Sequence, residues 1–180
     1  DNGVYMSVEL KRYIDLSAFV DPNVGTVGYK KPVGTDESRL RYLEDAYYHD
    51  LQNGVEIVYL TDFGAQSFTS NTNAYALQRA FDYCATYGAI LHIDPGTFYT
   101  DNPIVLRGGK SYRVVFDGEI VTHNSESLKN KGLFVMSADD NAPIGGYFYD
   151  LKASMKNNDI NLFYNVNFDK MRIKVSTAGY

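Results

Sequence analysis

Residues 58–100 constrain the fold of this chain most, because they place signals for a strand, a loop, a helix and a second strand in one fixed order. The apolar run at residues 57–60 predicts a short β-strand. The sequence Thr61-Asp62-Phe63-Gly64-Ala65 then makes a turn and begins a polar loop at residues 66–73. This loop separates the first strand from the helix that follows.

A helix is predicted at residues 74–87. Its apolar residues recur at three- and four-residue steps, which gives the helix one apolar face: Leu77, Ala80, Phe81 and Cys84. Asn71, Thr72 or Asn73 can cap the first turn, and Gly88 stands where a left-handed residue would end the helix. A buried strand is predicted next, at residues 89–93, followed by an Asp94-Pro95-Gly96 turn in which Gly is free to take positive φ.

This order resembles the opening of the pectate-lyase-like, right-handed parallel β-helix domains in the form found in bacteriophage tailspikes. Residues 62–65 match the Asp-Phe-Gly-Ala element of that family, and residues 73–88 match the helix that covers the mouth of its β-helix. Residues 93–99 match its Pro-x-Gly-x-Tyr strand–turn–strand. The loop at residues 66–71 departs from the family pattern, since it is neither acidic nor glycine-rich, and this weakens the case for an ion or ligand there.

Asp62-Phe63-Gly64 is also a protein-kinase signature. A kinase would need an upstream His-Arg-Asp loop and a glycine-rich phosphate loop. The sequence has neither, so the kinase interpretation is rejected.

After Thr100 the sequence predicts short strands separated by turns. We expect them at residues 104–106, 112–116, 119–122, 133–136, 147–151, 161–168 and 171–175. Many short strands at this spacing favour a solenoid of stacked coils, with Asn in tight turns and inward aliphatic residues stacked coil upon coil. No exact internal repeat is visible, so periodicity alone leaves a β-sandwich open. A solenoid exposes apolar side chains and strand edges at its open end, and the helix at residues 74–87 is the candidate cap.

The N-terminal part is predicted to hold a strand at residues 4–10, a loop at residues 17–35 and a helix at residues 36–51 that ends at Asn53-Gly54. The helix packs either on its own domain or near a symmetry axis with two copies of itself. Residues 27–35 with this helix are loosely similar to the linker that leads to the β-helix in many tailspikes. We therefore expect an anchoring or neck module at residues 1–55, and the capping helix and first coils of a β-helix at residues 56–180, continuing beyond the chain.

Composition limits the partners of the chain. Its 180 residues carry a net charge of −5, which argues against binding nucleic acid or an anionic membrane. Sixteen Tyr and ten Phe suit β-rich surfaces and oligomer contacts. The single Cys84 excludes a disulfide framework and a cysteine-based metal site, and no apolar run is long enough to span a membrane.

Catalysis on a polysaccharide would require paired carboxylates, or a base and a cation for a lyase. The candidate carboxylates all stand at positions that turns favour: Asp94, Asp117, Glu119, Asp139, Asp140, Asp150 and Asp169. His49, His92 and His123 show no metal-binding spacing, and His92 in a buried strand is interpreted as a structural histidine. The sequence thus assigns no catalytic residue, metal ligand or cofactor, and leaves the binding residues open.

The resemblance implies a homotrimeric segment of a phage tailspike or tail appendage, located in the virion tail and attached to tail or baseplate proteins. It implies recognition of host surface polysaccharide, lipopolysaccharide or capsule, and degradation of it is left open for the full-length protein. Because the family's active site lies past the first coils, this segment is expected to be non-catalytic. The alternatives are a fragment of a secreted pectate-lyase-like or polygalacturonase-like enzyme, and a plain carbohydrate-binding β module.

Overall fold

The computed structural model describes residues 20–21, 26–27, 45–67 and 72–179, which fall into two compact units, Asp1–Gln52 and Asn53–Tyr180. In the first unit, β1 (Val20–Asp21) pairs with β2 (Thr26–Val27) in antiparallel fashion. Helix α1 is described at residues 45–52. The start of the predicted helix and the predicted strand at residues 4–10 lie outside the described residues.

The second unit is mostly β, with one covering helix. It begins with β3 (Ile57–Tyr59), a 3-10 helix (Leu60–Phe63) and helix α2 (Ala74–Tyr87). The strands that follow are β4 (Ile90–Ile93), β5 (Thr97–Thr100), β6 (Ile104–Leu106), β7 (Ser111–Phe116), β8 (Glu119–Thr122), β9 (Lys131–Met136), β10 (Ile144–Ser154), β11 (Ile160–Tyr164) and β12 (Phe168–Gly179).

These strands form three stacks in which every pairing is parallel. The first stack runs β3, β4, β7, the first half of β10 and the first half of β12. The second stack runs β5, β8, and the second halves of β10 and β12. The third stack runs β6, β9 and β11. The first two stacks join into one curled sheet because β10 turns a corner at Asp150, whose φ is 55°.

The core lies inside the curl and under α2. One row of inward side chains passes from strand to strand in register, from Leu91 to Val114 to Phe148, and all three are buried. Phe81 of α2 reaches the same core, with its ring centroid 5.6 Å from that of Phe134. The helix therefore contributes its apolar face to the core that the strands enclose.

The predicted helix is confirmed at both ends. Gly88 takes a left-handed φ of 70°, and its N–H donates to the Cys84 carbonyl at 2.8 Å. At the start, Thr72 Oγ1 accepts from the Ala74 N–H at 3.1 Å. Asn73, one of the proposed caps, uses its side chain elsewhere, as described below.

One predicted strand is wrong in extent. Residues 161–168 do not form a single strand, since β11 ends at Tyr164 and β12 begins at Phe168. Asn165 lies between them with a φ of 55°, a left-handed conformation that turns the chain and that Asn accepts more readily than most residues. Apolar and polar residues continue to alternate across this turn, so the sequence pattern did not indicate that the strand ends there.

Two glycines allow the strands to approach closely. A Cβ on Gly118 would lie 2.0 Å from the Asp94 carbonyl oxygen, and one on Gly146 would lie 2.1 Å from the Tyr112 carbonyl oxygen. Gly146 also has a φ of 104°, which other residues rarely adopt. At the Asp117-Gly118 corner, Gly is therefore required because a Cβ would not fit, whereas the φ of Gly118 is one that other residues can adopt.

Candidate functional site

Most of the carboxylates singled out in the sequence lie at one corner, where the chain passes from the first stack to the second. We call this the acidic corner and define it by residues 94–96, 117–119 and 150. Adjacent strands in a sheet are about 4.8 Å apart, so parallel pairing places these turns one above another. The N–H groups of Asp117 and Gly118 both donate to the Ile93 carbonyl at 3.0 Å, which fixes the second turn on the first.

Asp94 is held by the turn that precedes the helix. Its two carboxylate oxygens accept from the Thr61 N–H at 2.9 Å and from the Thr61 hydroxyl at 3.0 Å. Asp62, in the same turn, accepts from the Tyr59 N–H at 3.0 Å. The Asp-Phe-Gly-Ala turn is therefore fastened to the first strand and to the acidic corner by two carboxylates.

Asp117 forms a buried pair with His92. The His92 Nδ1 lies 3.2 Å from the Asp117 carboxylate, and the two side chains are 2% and 8% exposed. The Tyr59 ring lies 5.5 Å from the imidazole. A carboxylate on Nδ1 can orient an imidazole as a general base, but a side chain this buried does not meet a polysaccharide in solution. This geometry supports a structural role for His92.

Glu119 and Asp150 are also engaged. Glu119 accepts from the Thr97 hydroxyl at 3.0 Å. Asp150 forms an ion pair with Lys174 at 2.7 Å and accepts from the Ser176 hydroxyl at 2.8 Å. Each of these contacts joins one strand to the next strand of the same stack.

The remaining candidates lie away from this corner. Asp140 accepts from the Gly108 N–H at 2.6 Å, which closes the loop after β6. Asp139 and Asp169 are exposed. The seven candidate carboxylates thus separate into a corner group and a scattered group.

The other chemically distinctive residues are Cys84, Tyr83 and His123. Burial, with a smaller contribution from Glu56, raises the pKa of Cys84 to about 12, so the thiol stays protonated. The hydrogen bond from the Tyr83 hydroxyl to Glu56 raises the pKa of Tyr83. His123 stacks on Tyr99 with ring centroids 5.3 Å apart. His49, in α1, lies 3.9 Å from Asp50.

Two amide side chains, from Asn73 just before α2 and from Gln78 within it, bind the first strands of the second and third stacks. Gln78 Nε2 donates to the Val105 carbonyl at 3.0 Å, and Gln78 Oε1 accepts from the Val105 N–H at 2.8 Å. Asn73 Nδ2 donates to the Tyr99 carbonyl at 3.2 Å, and the Asn73 N–H donates to the same oxygen at 2.7 Å. These amides satisfy strand edges that would otherwise be open.

Asn73 also holds the polar loop. Its Oδ1 accepts from the Gln66 N–H at 2.8 Å, and its Nδ2 donates to the Gln66 carbonyl at 3.1 Å. The sequence identified Asn73 only as a possible cap of the helix, a role that its side chain does not play, and it did not single out Gln78. The signal that could have found them is an amide next to the apolar face of a helix expected to cover strand edges.

Within the described part of the chain, no group of three or more His, Cys, Asp or Glu side chains could hold a metal ion. No helix among the described residues has the length and apolar character needed to cross a membrane. No protein-family model, no curated protein and no solved structure matches the chain.

Proposed function

We propose that this chain is the N-terminal part of a bacteriophage tailspike or tail appendage. In this proposal residues 56–180 begin a right-handed parallel β-helix covered by α2, and residues 1–55 form the anchoring or neck module. The assembled protein is a homotrimer in the virion tail, attached to tail or baseplate proteins. It recognises host surface polysaccharide through its β-helix.

The observation that carries this proposal is the order in which the chain visits the three stacks. It passes from first to second to third stack in β4, β5 and β6, and again in β7, β8 and β9. The third pass runs through β10 and β11 in the same order. Parallel strands joined through such a course form coils, and the strong right-handed preference of parallel crossovers supports the handedness.

The position of α2 gives a second line of support. A coiled solenoid needs its first coil covered, because that coil exposes strand edges and apolar side chains. Helix α2 comes just before the first complete pass, buries Leu77 and Phe81 in the core, and binds strand edges through Gln78. The resemblance of residues 62–65 and 93–99 to the tailspike opening agrees with this arrangement.

The engagement of the corner carboxylates supports a structural role for these side chains. Asp94, Asp117 and Asp150 each have a specific partner, and those partners join successive strands. Hydrolysis of a glycosidic bond uses two carboxyl groups held on either side of the scissile bond. In this proposal any depolymerase activity of the full-length protein belongs to later coils.

The proposal is tested by measuring the mass of the chain in solution by light scattering, together with its activity on capsular and O-antigen polysaccharides. New reducing ends report a glycosidase, and the absorbance of unsaturated products reports a lyase. A trimer that cleaves none of these polysaccharides is the expected result. A trimer that cleaves would keep the tailspike proposal and move catalysis into the opening coils.

A monomer that depolymerises a polysaccharide would contradict the proposal and favour a fragment of a secreted pectate-lyase-like or polygalacturonase-like enzyme. In that case Asp117→Asn and Glu119→Gln would be compared with Asp169→Asn, an exposed carboxylate outside the corner. Loss of activity in the first two variants alone would place the reaction at the acidic corner.

A further inference from the structure

The two ends of the strand stacks differ in how their edges are covered. At the first end, the amides of Gln78 and Asn73 bind the edges of β6 and β5. At the other end, β12 pairs with β10 on one side, and no described strand pairs with its opposite edge. The covered end and the β12 end are therefore chemically unlike.

The inward rows of side chains show the same difference. Three positions of β10 are fully buried at 0% exposure, and their partners on β12 are 37–47% exposed: Ile144 with Phe168, Phe148 with Ile173, and Leu151 with Val175. Each partner continues a row that is apolar and buried in the preceding strand. The exposed residues therefore continue the core rows at this end, where no described strand packs over them.

The sequence of β12 keeps the period of a buried strand. Met171, Ile173 and Val175 alternate with polar residues, so one face is apolar along its length. A strand made to end a sheet is normally short, interrupted by Pro or charged on its inner face. The inner face of β12 has none of these devices.

We propose that the free edge and apolar face of β12, defined by Phe168, Ile173 and Val175, bind one further parallel β-strand and the coil that carries it. The segment that fills this place is the part of the same polypeptide that follows Tyr180. The inference rests on the β-helix in the proposed function and does not depend on the virion or on any glycan.

The register of the stacks favours the same polypeptide over a second copy. In the inward row, Leu91, Val114, Phe148 and Ile173 follow one another at 23, 34 and 25 residues. A parallel strand needs a crossover of a dozen or more residues, and these spacings provide it. A second copy related by two-fold symmetry would present the same edge in the opposite direction, which would make an antiparallel pair.

The test compares hydrogen–deuterium exchange of β12 in the 180-residue chain and in a chain extended by its natural next 40 or so residues, a length chosen to exceed the coil spacing. Successive amides of a parallel strand point to opposite neighbours, so the amides of β12 that face β10 are an internal control. In the extended chain the other amides should exchange at least about tenfold more slowly, while those facing β10 change little. Equal exchange in the two chains would refute the proposal, as would a polypeptide that ends at Tyr180.

Lysine substitutions give a second readout. Ile173→Lys should lower Tm by about 5–10 °C in the extended chain, where the side chain is buried, and by no more than about 2 °C in the 180-residue chain. Val105→Lys is the matched control, because Val105 is 42% exposed and lies at the covered end. It should leave both chains nearly unchanged.

An equal effect of Ile173→Lys in the two chains would overturn the proposal. Protection of β12 in an extended chain that is monomeric and binds no glycan would keep this inference while the proposed function fails. A trimer that binds glycan while the β12 amides stay unprotected would support the proposed function and refute this inference.

Discussion

Replacement of Asn73 is the sharpest test of how the covering helix is fastened to the strands. Asn73 is 7% exposed, and its side chain makes three hydrogen bonds, two with Gln66 and one with Tyr99. The partners are main-chain groups of the polar loop and of β5. The side chain therefore joins the segment before the helix to the first strand of the second stack.

Asn73→Ala removes these three hydrogen bonds and keeps the backbone bond to the Tyr99 carbonyl. A hydrogen bond contributes about 1 kcal/mol net, and a buried group left without a partner costs more. Gln66 is exposed, so water can replace part of what its main chain loses. We expect the free energy of unfolding to fall by about 2–4 kcal/mol, a large share of the roughly 5–15 kcal/mol of a typical domain.

Asn73→Asp keeps the shape and the acceptor for the Gln66 N–H. It replaces the donor with a carboxylate oxygen that faces two carbonyl oxygens, from Gln66 and Tyr99. These contacts disfavour the ionised form, so the introduced carboxyl has a higher pKa in the folded chain than in the unfolded chain. The variant should therefore be least stable relative to the wild type at neutral pH, and should recover part of the loss as the pH falls.

The assay is urea denaturation followed by far-UV circular dichroism, at pH 7 and at pH 4.5. Asn158→Ala is the control, since Asn158 is exposed and is expected to change stability by no more than about 0.5 kcal/mol. The reasoning is refuted if Asn73→Ala matches this control, because the three hydrogen bonds would then contribute nothing measurable.

Three further predictions concern single sites. Gly146→Ala should lower the free energy of unfolding, measured with urea or heat, by at least about 3 kcal/mol, because its Cβ would lie 2.1 Å from a main-chain carbonyl oxygen. Gly54→Ala is also at positive φ but has nothing within 4 Å, so it should lower that free energy by about 1–2 kcal/mol. Equal losses in the two variants would contradict the close approach of the strands. Gln78→Leu should leave the edge of β6 at Val105 without its partner and increase aggregation, measured by light scattering. Gln78→Glu should increase aggregation less, because it keeps the acceptor for the Val105 N–H. Unchanged aggregation in both variants would contradict the proposal that the amide protects this edge. Cys84 should resist a thiol reagent at pH 8 until urea unfolds the chain, since burial raises the pKa of its thiol to about 12 in the folded chain. Because the thiol ionises only in the unfolded chain, the wild type should lose stability relative to Cys84→Ala as the pH rises above about 8.5. Rapid labelling of the folded chain would contradict the burial of Cys84.

Local elements were predictable where the sequence determines them over a short range. The apolar spacing of α2 and the left-handed Gly88 gave both ends of the helix, because capping and amphipathicity depend on neighbours within one turn. The strands β6 and β8 were predicted at their observed bounds, since turn residues flank them. The turn at Asn165 was missed because its neighbours continue the alternation of a strand.

The contacts of the acidic corner could not be predicted, because they join residues that are far apart in sequence. Asp94 meets Thr61 across 33 residues, and Asp117 meets His92 across 25 residues. The number of residues from one strand to the next in the same stack varies between 23 and 34 along one row, so no repeat in the sequence gives the register. Asp94, Asp117, Asp139 and Asp140 lie in or next to turns, as the sequence predicted. The turn prediction was wrong for Glu119, Asp150 and Asp169, which lie within β8, β10 and β12. The partners of the corner carboxylates required the three-dimensional pairing.

Amide side chains are well suited to cover the edge of a parallel stack. An open edge presents N–H and carbonyl groups in alternation, so its partner must both donate and accept, and an amide is the neutral side chain that does both in one plane. Gln78 makes this pair of bonds with Val105, while the apolar face of the same helix covers the core through Leu77 and Phe81. A single helix can thus satisfy the polar and the apolar requirements of the first strands of the stacks at once. Because this solution uses a helix that precedes the strands, it serves one end of the stack, and the end at β12 requires a different partner.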